Sequence, residues 1–257
     1  MNSVVELREV KPGIALLTMQ DRENKNTFTN EFLLGIKDAF EEVKHNTKFK
    51  VLVITGYDNY FASGGTKDAL IAIQEGKANF DKISPGIPNI YSLPLDCEIP
   101  VVAAVQGHAI GGGLAFALFS DFIILSKESV YTANFMNFGF TPGFGSTYIF
   151  PAKLGITLAK DILISARKFR GEELRKRGIP FEVYPRKEVL GQALELAEII
   201  AEKPRLSLIT LKNQLVKEHR NAISEVIKQE VQMHDITFHQ PEVKENIQKL
   251  YIDPRQA

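Results

Sequence analysis

Two glycine-rich turns follow apolar segments, and both have the composition of an anion-binding turn. The first, residues 61–66, reads FASGGT and follows the apolar run 51–55; the second, residues 106–114, reads QGHAIGGGL and follows the apolar run 101–105. Glycines let a ligand approach the backbone closely, and the first N–H groups of a helix have no partner within that helix. Two such turns that converge on one point would form an oxyanion hole. Either turn taken alone fits a purely structural role equally well.

The spacing of these glycines excludes two common nucleotide-binding motifs. A dinucleotide fingerprint that used Gly111 and Gly113 would need a further glycine where Phe116 stands. Neither turn ends in the Gly-Lys-Ser/Thr of a phosphate-binding P-loop. The turns therefore favour an oxyanion hole over a nucleotide site.

Length, composition and charge indicate an ordinary globular protein. The 257 residues, 44% apolar and 24% charged, suit one large domain or a core with an appended helical segment. Because 31 basic residues balance 31 acidic ones, neither nucleic acid nor an anionic membrane is expected as the main partner. Cys97 is the only cysteine, and no His/Cys/Asp/Glu spacing indicates a metal. The first residues lack a signal-peptide apolar stretch, so we expect a cytoplasmic protein.

Hydrophobic periodicity predicts strands that alternate with helices, followed by an all-helical end. This pattern predicts an α/β core over residues 1–195 and a C-terminal helical segment over residues 196–257. A proline-rich stretch, residues 83–94, predicts a mobile or covering loop, and whether it closes over substrate stays open. The predicted strands are 4–7, 14–19, 50–55, 100–105, 122–125 and 181–184, and the predicted helices are 30–45, 66–75, 113–120, 158–165, 171–177, 189–203, 207–218, 222–238 and 242–251.

Taken together, the motifs resemble the crotonase family, the enoyl-CoA hydratase/isomerase superfamily. Residues 61–66, residues 107–114, Asp121 and residues 139–145 match the signatures of that family in order. The resemblance implies an α/β fold, a crotonase-type spiral of ββα units with a C-terminal helical trimerisation segment. It also implies a thioester substrate whose carbonyl oxygen is held by two backbone N–H groups.

Aligned on the motif, these two N–H groups belong to Gly65 and Gly112. The catalytic glutamates of the hydratases fall on Ala115 and Phe135 in this sequence. Paired carboxylates are needed to position water and to move its proton, which neither alanine nor phenylalanine can do. Hydration is therefore not expected as the main activity.

A narrower resemblance points to another reaction. Residues 56–65, 95–100, 128–136 and 138–143 are similar to the crotonase-type decarboxylases of bacterial polyketide β-branching cassettes. This resemblance implies that a 3-methylglutaconyl thioester on an acyl carrier protein loses carbon dioxide and becomes 3-methylcrotonyl thioester. It implies no metal or redox cofactor. The phosphopantetheine arm arrives with the substrate. It further implies a homotrimer or a dimer of trimers, with no nucleic-acid or membrane partner.

The decarboxylase resemblance also implies two catalytic side chains. The histidine of the subgroup matches His234, as proton donor or as carboxylate positioner. Its lysine, which follows the first turn, is assigned to Lys77 as a carboxylate-binding cation, with Lys67 and Lys82 as alternatives. Asn79 is a further candidate for the matching place.

Seven residues are expected to line the substrate. Phe135 would form an apolar wall that limits hydration of the carboxylate. His108 fits either a structural or a lining role, and Tyr131 fits packing and substrate contact equally. The full set is Ala62, Gly64, His108, Gly111, Tyr131, Phe135 and Gly139. Two alternative functions stay open at this point: an enoyl thioester isomerase and a non-catalytic scaffold of the synthase assembly.

Overall fold

The computed structural model describes residues 4–78 and 90–252. A 3-10 turn spans Ile90–Ser92. The strands are β1 (Val5–Lys11), β2 (Ile14–Met19), β3 (Val51–Thr55), β4 (Tyr60–Ala62), β5 (Val101–Val105), β6 (His108–Ile110), β7 (Phe122–Ser126), β8 (Val130–Thr132), β9 (Phe169–Arg170) and β10 (Glu182–Tyr184). The helices are α1 (Asn30–His45), α2 (Lys67–Gln74), α3 (Leu93–Asp96), α4 (Gly112–Leu118), α5 (Phe135–Phe138), α6 (Ser146–Leu154), α7 (Ile156–Ser165), α8 (Gly171–Lys176), α9 (Arg186–Ala201), α10 (Arg205–Thr237) and α11 (Pro241–Ile252).

The strands form two sheets, and the chain steps from one sheet to the other. The larger sheet has the order β1-β2-β3-β5-β7-β10, and the smaller has the order β4-β6-β8-β9. Consecutive pairs such as β3 and β4, or β5 and β6, therefore contribute one strand to each sheet before a helix follows. This arrangement is the spiral of ββα units that the resemblance implies. The role of the C-terminal helices in trimerisation stays a prediction.

The core strands and the first helix follow from their sequences. All five residues of β3 and all five of β5 are buried, as expected for parallel strands that are covered on both faces. Helix α1 begins after Thr29, whose hydroxyl accepts a hydrogen bond from the N–H of Phe32 and caps the helix. The bounds of α1 are those that its periodicity predicts.

The C-terminal region differs from the prediction. The segments 207–218 and 222–238 are not two helices but one, α10, which is 33 residues long. No glycine or proline interrupts the chain between them, and Arg220 donates a hydrogen bond to the carbonyl of Leu95 at 2.8 Å. The predicted division at residue 195 falls inside α9 and stays a prediction. Residues 83–89 of the predicted covering loop lie outside the described residues.

A buried ion pair fastens α10 to the core. The ammonium of Lys212 lies 2.7 Å from a carboxylate oxygen of Asp121 and donates hydrogen bonds to the carbonyls of Pro94 and Ile99. Asp121 also accepts a hydrogen bond from the N–H of Val101, at the start of β5. The long helix is thereby held in a defined register against the sheet that carries the second glycine turn. Within the described residues, no helix has the length and apolarity that crossing a bilayer requires.

Candidate active site

The first glycine turn leaves the end of β4 and leads into α2. Gly64 has φ +75°, a left-handed conformation that favours glycine. The carbonyl of Gly64 accepts a hydrogen bond of 2.7 Å from the N–H of Phe28, and Ser63 donates its hydroxyl to the carbonyl of Lys25. The segment before α1 thus holds the turn in place.

The second glycine turn connects β6 to the start of α4. Gly111 has φ +55°, and its N–H donates to the carbonyl of Thr132 at 2.8 Å. A side-chain carbon on Gly113 would lie 2.1 Å from the carbonyl oxygen of Ala62. Only glycine therefore allows the two turns to come this close.

The two turns converge as the glycine pattern predicts. A side-chain carbon placed on Gly64 would lie 3.4 Å from the amide nitrogen of Gly112. Neither the N–H of Gly65 nor that of Gly112 donates a hydrogen bond to another group among residues 4–78 and 90–252. Gly112 is the first residue of α4, where the helix supplies no acceptor and its dipole favours negative charge. Two unengaged donors beside each other have the geometry of an oxyanion hole.

Aromatic rings wall the second turn. A side-chain carbon on Gly112 would lie 2.6 Å from a ring carbon of Tyr91 and 2.9 Å from one of Phe28. On the other side, the ring of Phe135 lies 3.8 Å from the corresponding position on Gly111. Burial raises the pKa of Tyr91, so its hydroxyl is neutral at physiological pH. Aromatic rings therefore make up much of the surface beside this turn, together with the Tyr91 hydroxyl and the Asn134 amide oxygen. Such partly apolar surroundings strengthen a hydrogen bond to a developing oxyanion.

His234 lies on α10 and reaches the loop that follows α5. Its Nε2 is 2.8 Å from the carbonyl oxygen of Thr141, which can only accept, so Nε2 carries a proton and donates it. A side-chain carbon on Gly143 would lie 2.3 Å from Cε1 of His234. The imidazole is 5% exposed and lies edge-on to the rings of Phe140 and Phe238.

A chain of ring contacts joins His234 to the two glycine turns. Its neighbour Phe140 contacts Phe135, which covers Gly111. The loop that His234 binds also carries Phe144, whose ring centroid lies 4.4 Å from that of Tyr91. The structure therefore brings Gly64, Gly65, Gly111, Gly112 and Phe135 together. It joins His234 to this group through Phe140.

The structure gives the candidate lysine a different partner. The ammonium of Lys77 is 2.7 Å from the carboxylate of Glu75, and the Lys77 side chain is 72% exposed. Hydrogen bonds from Lys77 and Lys244 lower the pKa of Glu75 to about 2. Lys67 is half-buried in the first turn of α2. Lys82 and Asn79 lie outside the described residues.

Two of the expected lining residues have hydrogen-bond partners within the protein. Tyr131 is fully buried in β8: its hydroxyl donates to the carbonyl of Val105 and accepts from the N–H of Ser126. Of the two roles expected for Tyr131, the structure favours packing, because its hydroxyl binds strands of the larger sheet and its side chain lies between the two sheets. His108 accepts a hydrogen bond at Nδ1 from the N–H of Val130. Burial lowers the pKa of His108, with contributions from Arg186 and Arg170.

The remaining lining residues act through the backbone. Ala62 is buried and abuts Gly113 through its carbonyl. Gly139 has φ +90° and ends α5; a side-chain carbon there would lie 3.3 Å from Val243 of α11. These contacts give Ala62 and Gly139 structural roles beside the site.

The positions of the hydratase glutamates hold no acid. Ala115 is fully buried in α4, and Phe135 presents its ring to Gly111. No group of three His, Cys, Asp or Glu side chains within the described ranges is placed to hold a metal ion. Asp235 follows His234 directly but is exposed. The carboxylate of Glu230, one turn before His234 on α10, accepts hydrogen bonds from Gly145 and Thr147.

Glu230 was not predicted as a site residue. It is 1% exposed, and its carboxylate accepts hydrogen bonds from the N–H of Gly145 and from the N–H and hydroxyl of Thr147. It thereby caps the start of α6 in place of a local side chain. The sequence signal was available: Glu230 stands four residues before His234, on the same face of a helix.

Comparison with known proteins places the chain in a family. Residues 9–257 match the Enoyl-CoA hydratase/isomerase family. Bacillaene synthase decarboxylase PksI of Bacillus subtilis is 54% identical over 250 residues, which cover 97% of this chain and 98% of PksI. These matches confirm the resemblance to the crotonase family and to its decarboxylases.

Two solved structures agree with this placement. One belongs to a dehydratase/decarboxylase enzyme couple involved in polyketide β-branching; it has a TM-score of 0.94 and 54% identity, covering 97% of both chains. The other is the ECH2 decarboxylase domain of CurF from Lyngbya majuscula, with a TM-score of 0.91 and 42% identity, covering 96% of this chain and 99% of that domain. The chain belongs to the enoyl-CoA hydratase/isomerase family, and within that family it is an enzyme of the decarboxylase type.

Proposed function

We propose that the protein decarboxylates a 3-methylglutaconyl-type thioester carried on an acyl carrier protein and releases the 3-methylcrotonyl thioester. The observation that carries this proposal is the convergence of two turns whose Gly65 and Gly112 amides are unengaged within the described residues. The similarity to PksI and to the CurF decarboxylase domain supports the choice of reaction.

The electrons of the broken bond need an acceptor. When the bond between the γ-carbon and the carboxylate breaks, carbon dioxide leaves and the electron pair moves through the conjugated alkene to the thioester oxygen. The Gly65 and Gly112 amides stabilise the resulting dienolate. Loss of one donor of this kind typically costs about 2.7–4 kcal/mol of transition-state stabilisation. The thioester itself is the electron sink, so the reaction requires no metal or redox cofactor.

A proton must then return to the γ-carbon, and His234 is the candidate donor. Because Nε2 donates to Thr141, the proton that is exchanged resides on Nδ1, and the acidic form is the imidazolium. In this form His234 also carries a positive charge, which suits the alternative role of carboxylate positioner. Both roles need the ring orientation that the Thr141 carbonyl imposes.

The apolar wall favours decarboxylation over hydration. Phe135 takes the place where a hydratase would carry an acid, and Ala115 leaves no side chain to position water. An apolar environment around the leaving carboxylate limits its hydration and so favours loss of the charged group. Lys77, Lys67 and Lys82 are the candidates for a cation that binds that carboxylate.

The partners follow from the substrate and from the resemblance. The substrate arrives on the phosphopantetheine arm of an acyl carrier protein, and the enzyme assembles as a homotrimer or a dimer of trimers. Apolar side chains that are exposed on α10, among them Leu211 and Leu215, support self-association through this helix.

One experiment separates the proposed reaction from its nearest alternative. The protein is incubated with carrier-bound 3-methylglutaconyl thioester in D₂O, and the acyl group is analysed by mass spectrometry. We expect loss of carbon dioxide and one deuterium on the γ-carbon of the product. Deuterium incorporation without loss of carbon dioxide would identify an enoyl thioester isomerase instead. An unchanged acyl group would refute the proposal.

A further inference from the structure

Helix α11, the last helix of the described residues, contacts the first glycine turn. The hydroxyl of Tyr251, on α11, donates a hydrogen bond of 2.6 Å to the carbonyl oxygen of Gly65. The ring is mostly buried, and its centroid lies 5.9 Å from that of Phe138. Burial raises the pKa of Tyr251 to about 12, so the hydroxyl keeps its proton at physiological pH.

The peptide that carries the Gly65 N–H is held on its other side. Its carbonyl belongs to Gly64 and accepts the 2.7 Å hydrogen bond from Phe28. In a trans peptide the carbonyl and the N–H point in opposite directions, so this bond turns the Gly65 N–H away from Phe28. The following peptide is held at the Gly65 carbonyl by Tyr251. Both peptide planes that meet at Gly65 are therefore restrained, which matters because glycine itself restrains neither.

Helix α11 has attachments that do not involve the Tyr251 hydroxyl. Lys244 lies 2.9 Å from Glu75, at the end of α2, and Asn246 donates a hydrogen bond to the carbonyl of Phe138. Val243 is fully buried against Gly139. Removal of the hydroxyl alone should therefore leave the helix in place and free only the turn.

We infer that Tyr251 is a positioning residue, whose hydroxyl holds Gly65 so that its N–H points at the thioester oxygen. The inference rests on the proposed function, because it assigns a support to the donor which that function uses. It places the C-terminal helix α11 in the active-site machinery, although Tyr251 itself need not touch the substrate.

The first test replaces Tyr251 by phenylalanine, which keeps the ring and removes the hydroxyl. We expect kcat for decarboxylation to fall about tenfold, less than the about 10²–10³-fold that removal of an oxyanion donor costs, because the donor is misdirected and not deleted. KM should stay within about twofold, since a contact that strengthens only in the transition state changes kcat.

Tyr148→Phe is the matched control. Tyr148 is also half-buried, and its hydroxyl is 2.9 Å from Nδ1 of His219. The two variants remove similar hydrogen bonds and should have similar melting temperatures, but only Tyr251→Phe should lose kcat. Equal losses of kcat in both variants would overturn the inference and make Tyr251 a residue of general stability.

A spectroscopic measurement tests the same point without turnover. The product analogue 3-methylcrotonyl pantetheine, labelled with ¹³C at the thioester carbonyl, is bound to the protein and its carbonyl stretch is recorded. We expect a lower frequency than in water for the wild type and a smaller shift for Tyr251→Phe. A wild type that neither decarboxylates nor shifts this band would refute the proposed function. An active wild type whose rate and band are unchanged in Tyr251→Phe would refute only the role of Tyr251.

Discussion

Glu230 and His234, one turn apart on α10, bind the two ends of the same short loop. The imidazole of His234 donates to the carbonyl of Thr141, and the carboxylate of Glu230 accepts from the N–H of Gly145. The loop between α5 and α6 is thus clamped to α10 at both ends. Because its Phe144 packs on Tyr91, which covers Gly112, this clamp links α10 to the second oxyanion turn.

The clamp makes Glu230 a determinant of stability. Both carboxylate oxygens of Glu230 accept hydrogen bonds, from the Gly145 N–H and from the N–H and hydroxyl of Thr147. In Glu230→Gln an amide NH₂, which cannot accept, replaces one of these oxygens, so at least one of the donors loses its partner. We expect the free energy of unfolding to fall by about 1–3 kcal/mol, as measured by urea denaturation. Thr210→Ala removes an exposed side-chain hydrogen bond on the same helix and serves as the control. Unchanged stability in Glu230→Gln would contradict the clamp.

The same carboxylate predicts a pH dependence. Burial raises the pKa of Glu230, although hydrogen bonds from Thr147 and Gly145 oppose the shift. The folded protein therefore holds the proton more tightly than the unfolded chain does. The Glu230 contribution to stability is full below the unfolded-state pKa and declines as the pH rises through the raised pKa. The stability advantage of wild type over Glu230→Gln should shrink across that interval in urea unfolding at a series of pH values. An advantage that grows with pH would contradict the direction of the shift.

His234 can be tested apart from the loop that it holds. In His234→Gln the side-chain amide still has an N–H to donate to Thr141, but none of its protons is acidic enough to be given to the substrate. We expect a loss of about 10²–10⁴ in kcat with little change in melting temperature, since this is the usual range for a general acid. His45→Gln, at an exposed position on α1, is the control. Wild-type kcat in His234→Gln would exclude His234 as the proton donor.

Gly65 allows a cleaner test of the oxyanion hole than Gly112 does. Any side chain on Gly112 would collide with Tyr91 and Phe28, whereas a side-chain carbon on Gly65 would meet only Leu70, at 3.6 Å. Gly65→Ala keeps the N–H and Gly65→Pro removes it. We expect Gly65→Ala to keep most of its kcat and Gly65→Pro to lose about 10²–10³-fold. Circular dichroism would verify the fold of both, and an active Gly65→Pro would refute the assignment.

Lys77 and Lys244 both bind Glu75, so a comparison of their alanine variants shows whether Lys77 has a catalytic role or only a surface role. Because both Lys77 and Lys244 contact the same exposed carboxylate, their replacement by alanine should affect stability equally. Exposed ion pairs contribute little, so we expect kcat of Lys77→Ala to stay within about twofold of wild type. A large loss of kcat in Lys77→Ala but not in Lys244→Ala would instead make Lys77 the carboxylate-binding cation. Steady-state decarboxylation rates decide between the two.

Much of the fold was predictable because it depends on local pattern. Apolar periodicity predicted the bounds of α1, and glycine spacing predicted that the two turns would meet. The contacts that support the site were not predictable in this way. Tyr251 and its acceptor Gly65 are 186 residues apart, and no local pattern reports such a pairing. A related limit applies to Tyr131: alternation shows that a side chain is buried, but not whether it faces the core or a ligand.

Phe28 contacts both glycine turns. Its N–H binds the carbonyl of Gly64, and its ring occupies the space beside Gly112. A single residue therefore acts as a spacer between the two donors, so their separation does not depend on how well the outer helices pack. Loosening of α11 should change the direction of the Gly65 N–H, which Tyr251 holds, before it changes this separation. Phe28 thus makes the donor spacing a local property of the core, and heat should abolish it only when the core itself melts.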